Sequence, residues 1–252
     1  MFTINPFAAV ADFVPLHVMQ VYVVLMISAV IAGTLFDVYH KGSAKFFAQR
    51  RQRSEAAARR QLSGGETVYL AIETIAEAAV SGEFCKWPRR ASHLLMMYGF
   101  FLYIVSTILM IFGSPGDPVT PSILPTLWVA GAVMILAGGS WFFFFLRVNV
   151  AYDGDSPFHL GRADLFVGSL LASIVFALLW HCVQSNGGDA LPTCILFGIY
   201  IFFTTLLFVS VPWSKFAHMF FKPAVAFQRR VEEANGSSDL PDPATENHIV
   251  RN

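Results

Sequence analysis

The residues of this 252-residue chain best suited to ligand or redox chemistry are its seven histidines. His40, His159 and His248 fall in polar segments and read as surface residues. His17, His93, His181 and His218 fall in or beside long apolar runs, where an ionisable group is costly and is a functional hypothesis by default. His93 follows Arg89 and Arg90, and His218 stands between Lys215 and Lys222. Two imidazoles from different helices, with cations nearby for the propionates, are what a b-type haem requires. Spacing alone leaves a second reading open, in which both are interfacial imidazoles reaching towards lipid headgroups. No nucleophile elbow, phosphate loop, dinucleotide fingerprint or zinc spacing occurs, and the three cysteines have no paired spacing.

These histidines must be positioned by membrane helices. Hydrophobic residues make up 55% of the chain and charged residues only 13%, too few for the surface of a soluble domain of this length. Five apolar stretches are long enough to cross a hydrocarbon core, near 14–36, 91–112, 123–146, 165–183 and 194–216. The start lacks a basic n-region and its apolar run reaches spanning length, so no cleavable signal is expected. The expected fold is an all-α membrane protein, a five-transmembrane-helix bundle occupying 1–230.

Charge placement predicts its orientation. Of seventeen Lys and Arg residues, ten lie in the loop 41–90, and the others flank the third loop or follow the last span. Segments 113–122 and 184–193 contain none. The positive-inside rule then makes the basic side cytoplasmic, the N-terminus periplasmic and the C-terminus cytoplasmic, as in a multi-pass protein of a bacterial inner membrane. Within loop 41–90, SAKFFAQRRQRSEAAARR reads as a basic helix lying on anionic membrane lipid. GGETVYLAIETIAEAAVSGEF reads as a second, amphipathic helix with Val68, Ile72, Ile75 and Ala79 on one stripe. It either seats the loop or docks a soluble partner. The polar tail 231–252, rich in Pro, Gly, Asp and Glu, is expected to be disordered.

The motifs RRASHLLMMYGFFLYIVST and VPWSKFAHMFFKP, with the five-helix layout, resemble the nitrate reductase gamma-subunit family. That family includes the haem-containing membrane subunits of heterodisulfide reductase-like, Dsr and Qmo complexes. The resemblance implies electron transfer between membrane quinone and a cytoplasmic redox enzyme, with no nucleic acid involved. It makes His93 and His218 the axial ligands of the haem b nearer the cytoplasm. Two-haem members carry further histidines at places where this chain has Tyr103 and Tyr200, which puts a second haem on those ligands in doubt. The tyrosines are candidates to bond a quinone carbonyl, or are packed interfacial aromatics. His17 and His181 lie near the outer ends of the first and fourth spans, open to a differently ligated second haem, a quinone role or structural contacts. Among members lacking the deeper histidines, the layout is most similar to membrane subunits associated with adenylylsulfate reductase in sulfur-oxidising bacteria. The chain would then be a quinone-reactive or non-catalytic subunit without hydrolytic or transferase chemistry. The alternative is a haem-free anchor that holds a soluble enzyme at the membrane.

Overall fold

The structure is a computed structural model, and it describes residues 4–40, 42–82, 86–113, 123–147, 161, 164–211 and 218–238. Among the described residues all regular structure is helical, and five helices are long and apolar enough to cross a membrane. The chain divides into two units, Met1–Asp37 with Ser81–Ala217, and Val38–Val80 with His218–Asn252.

The first unit contains α1 (Pro6–Val10), α2 (Leu16–His40, whose last turn passes into the second unit), α5 (Trp87–Phe112) and α6 (Ile123–Trp141). It continues with α7 (Leu165–Ser185) and α8 (Ala190–Val209). The helix α6 ends in a π-helical turn, Phe142–Leu146, which completes the third span. At about 1.5 Å rise per residue, each of the five spans covers roughly 30 Å or more.

The tightest packing joins α5 to α6. Apolar side chains gain little from meeting one another in lipid, so close backbone approach at small residues takes over as the adhesive. A methyl group placed on Gly131 would stand 2.7 Å from the Gly99 carbonyl oxygen and 2.8 Å from the Tyr103 nitrogen. Two turns away, one on Gly138 would stand 2.7 Å from the Ser92 carbonyl oxygen. There the Ser92 hydroxyl donates to the Gly138 carbonyl at 2.8 Å. Only glycine permits this approach. The short α1 is tied to its neighbours by polar ends: buried Asn5 caps it and donates to the Met110 carbonyl, while Gln184 donates to that of Pro6.

The second unit contains α3 (Ser43–Ala57), α4 (Gly64–Ala79) and α9 (His218–Asn235). A capping box starts α4: Ser63 accepts from the Glu66 nitrogen, and the Glu66 carboxylate accepts from that of Ser63. The C-terminal part of α9 binds both loop helices. Glu232 takes a two-pronged bond from Arg50 at 2.7 and 2.6 Å, and Arg230 pairs with Glu73 (2.6 Å) and Glu77. Asn235 donates to Ser54, and its carbonyl accepts from the Arg59 nitrogen.

Two sequence expectations are corrected here. The fifth span runs Ala190–Val209 rather than 194–216; Val211 precedes Pro212, and a residue before proline is disfavoured in the helical conformation. His218 belongs to a separate helix, α9, and residues 212–217, which include the end of the expected span, lie outside the described residues. The tail boundary also moves, because 231–235 are helical and docked, and Gly236 at φ +77° closes α9. The Ser237 nitrogen donates to the Glu232 carbonyl in the six-to-one pattern of a Schellman cap. Residues 239–252 of the expected disordered tail lie outside the described residues.

Candidate functional site

His93 stands in the second turn of α5 and is partly buried. Its Nδ1 is 2.7 Å from the Ser81 hydroxyl. Ser81 is 1% exposed and holds φ +51°, the one positive φ at a non-glycine among the described residues. A left-handed conformation costs a side-chain-bearing residue about 1–2 kcal/mol, so the surroundings must hold it there. The donor in this bond depends on the ring tautomer; in the one with Nδ1–H donating to the Ser81 oxygen, Nε2 carries the lone pair of a metal-ligating imidazole. Arg89 and Arg90, one turn earlier, are exposed, and Arg89 donates to the Leu146 carbonyl at 3.2 Å.

His218 opens α9 in the second unit; its side chain and all of Lys215 lie outside the described residues. Lys222 is exposed. His93 thus has the chemistry a haem b requires of one axial ligand.

Tyr103 and Tyr200 are brought together. Both are buried, 5% and 4% exposed, deep in α5 and α8. Tyr103 stacks on Trp128 at 5.1 Å, and Tyr200 on Trp180 at 5.7 Å. The two tryptophans meet edge-on at 6.2 Å, and Phe7 of α1 packs against both. This ring cluster fixes one wall of a cavity of about 260 Å³ bounded by α2, α5, α7 and α8, with Phe7 of α1 at its edge. Tyr22 stands on the α2 side, its hydroxyl bonded to Thr205 at 3.0 Å and to the Ile201 carbonyl at 3.3 Å. The Tyr103 hydroxyl is buried close to the Tyr200 side chain, in a contact that falls short of normal hydrogen-bond geometry.

His17 and His181 differ from each other. His181 is 3% exposed, edge-on to Trp128 at 5.6 Å, with Nδ1 3.5 Å from the Ser185 hydroxyl. His17 is exposed near the start of α2. Cys182 and Cys194 are both free thiols.

Sequence reasoning missed three residues. Ser81 lay near the end of the stretch read as the second, amphipathic loop helix, and no local pattern announces a strained serine. Asp37, buried near the end of α2, was hidden by falling just past the expected span. Arg147 served only as a marker of orientation, yet it is mostly buried, ion-paired with Asp164 and lies 4.6 Å over the Phe143 ring.

The fold and these sites define a polytopic α-helical membrane protein with five candidate spans and an internal apolar cavity. No family model, curated protein or solved structure matches the chain.

Proposed function

We propose that this chain is a membrane-anchoring electron-transfer subunit, a b-type cytochrome linking a cytoplasmic oxidoreductase to the quinone pool of a bacterial inner membrane. The N-terminus is periplasmic and the C-terminus cytoplasmic. The observation that carries the reading is the bond between the strained, buried Ser81 and Nδ1 of His93. Backbone strain persists where the surroundings over-determine it, and here it fixes the ring nitrogen that does not ligate. Bound haem would supply one-electron chemistry. His93 and His218 would hold it through their imidazoles, as the family resemblance implies. Arg89, Arg90, Lys215 and Lys222 supply positive charge for the propionates. The partner that the resemblance favours is an adenylylsulfate reductase, whose electrons would pass to quinone.

Optical spectra of the purified full chain test this reading. A Soret band and a reduced alpha band are expected, and either His93→Ala or His218→Ala should remove the same centre entirely. Ser81→Ala should leave haem bound and shift its midpoint potential, since the serine orients a ligand without touching the iron. Wild-type protein from haem-replete cells with no visible absorbance would replace the cytochrome with the haem-free anchor. Periplasm-active reporters should give signal when fused after Asp117 or Asp189 and none after Arg60; signal after Arg60 overturns the orientation.

A further inference from the structure

The apolar cavity of the first unit is long and narrow. Its walls run from Met19 to Ile31 on α2, from Phe100 to Ile111 on α5 and from Phe197 to Phe208 on α8. At about 1.5 Å rise per residue, the lined stretches are roughly 16–18 Å long. A volume of about 260 Å³ drawn out over that length makes a slot that follows the spanning helices.

The polar side chains lining the slot are already engaged. Ser173 donates to the Leu170 carbonyl at 2.9 Å, Thr107 to that of Tyr103 at 2.8 Å and Thr204 to that of Tyr200 at 2.8 Å. The Tyr22 hydroxyl meets Thr205 and the Ile201 carbonyl, and the Tyr103 and Tyr200 side chains meet each other. No charged residue lines the slot. A polar ligand would give up its hydration there and gain no partner, which is a net cost.

The slot also opens sideways. Ile27 and Ile31 line it and are 47% and 56% exposed on a spanning helix, so its α2 edge reaches the lipid-facing surface. Of the five spans α2 is the least enclosed, with 11% of its apolar stretch buried against 28–39% for the others. Walls that face a gap forfeit their dispersion contacts. A hydrocarbon chain from the adjacent lipid restores those contacts without a desolvation cost, because it passes from one apolar medium to another.

We infer that this slot holds an acyl chain of a membrane phospholipid, lying along α2 with its headgroup outside in the bilayer interface. The chain packs α2 against α5 and α8. The inference is independent of the electron-transfer reading.

The test uses the full chain in nanodiscs made with a phospholipid that carries a photoactivatable diazirine midway along one acyl chain. Irradiation should label Met19, Tyr103, Leu170 and Tyr200, which line the slot yet are only 3–5% exposed, as mapped by peptide mass spectrometry. Native mass spectrometry after detergent washing should find a phospholipid retained on the wild type. Val30→Phe, which fills the slot from α2, should lose both the retained phospholipid and the buried labels. Leu25→Phe, on the same helix but exposed and outside the slot, should keep both. His93→Ala should behave as the wild type does, so failure of the haem reading would leave this result unchanged. Labels confined to exposed residues such as Leu25 and Leu35 would overturn the inference whatever the variants do. A retained quinone or free fatty acid in place of phospholipid would overturn it too.

Discussion

The two units of this chain bury opposite things. The interior of the first is made of rings and aliphatic groups, with Trp128, Trp180, Ile135 and Ile174 fully buried. Among the described residues of the second, the buried side chains are Ser54, Thr74, Glu232 and Asn235. Its large apolar residues turn outward, Val68, Ile72 and Ile75 of α4 being 59%, 61% and 66% exposed. The amphipathic stripe expected of α4 thus exists, and its polar edge is the one in use, where Glu73 and Glu77 meet Arg230. The contrast shows that burial follows from what each group can pair with, more than from its hydrophobicity. Spanning helices adhere through close contact at Gly99, Gly131 and Gly138. The helices of the second unit adhere through charge-assisted hydrogen bonds, which are strong when bidentate and weaken as salt and acid compete.

This contrast can be broken from either side. The largest effect should come from Gly131→Leu, whose side chain has no room against Gly99 and Tyr103. A loss of about 3 kcal/mol or more is expected, read as a lower melting temperature in detergent, with little dependence on salt. Next comes Glu232→Ala, which strips Arg50 of its two-pronged partner. About 1–2 kcal/mol should be lost from the second unit alone, because Arg50 is partly exposed. Limited proteolysis between α3 and α4 measures it, and in the wild type 0.5 M salt should reproduce part of the effect. Acid gives the same unit a sign. The Arg50 guanidinium holds the Glu232 carboxyl below its usual value near 4.5. Its contribution is therefore complete above that value and is lost as the pH falls through the lower folded-state pKa. Protease sensitivity of the second unit should rise with acidification in the wild type, and much less in Glu232→Ala. A smaller change, about 1 kcal/mol, is expected when Ser63→Ala removes the cap of α4, visible as faster amide exchange in its first turn. Smallest is Arg51→Ala, where an exposed pair with Glu55 along one helix is worth about 0.3–0.5 kcal/mol. A melting shift from Arg51→Ala as large as that from Glu232→Ala would erase the distinction between a buried seam and a solvated surface.

Much of the first unit was legible because spanning length and apolar runs are local properties. Five spans were expected near the places they occupy, and the third was expected to its last residue, Leu146. Ends were harder, for identifiable reasons. The fifth span stops where Pro212 approaches, and the apolar residues after it blurred that stop. The tail was read from composition, which registers Asp, Glu and Gly. It does not register that Glu232 has Arg50 waiting 182 positions earlier in the chain. The Asn235–Gly236 pair was the available signal, since glycine after asparagine commonly closes a helix. For the candidate sites, sequence could pick out His93, Tyr103 and Tyr200 by type. It could not supply Ser81 behind the histidine, nor the cavity between the tyrosines and α2. Both depend on partners from other elements.

The seam along α9 also constrains how the protein is made. The helices α3 and α4 leave the ribosome early, yet the residues that bind them, Arg230, Glu232 and Asn235, are translated more than 150 positions later. Four membrane spans must be synthesised and inserted in the interval. Until then the loop helices lack the partners that hold them in the finished unit, and the unit closes only once translation has passed Gly236. Its closure therefore acts as a completion signal: a chain stopped short of α9 can still carry all five spans, but it leaves α3 and α4 open to proteases that spare the full-length product.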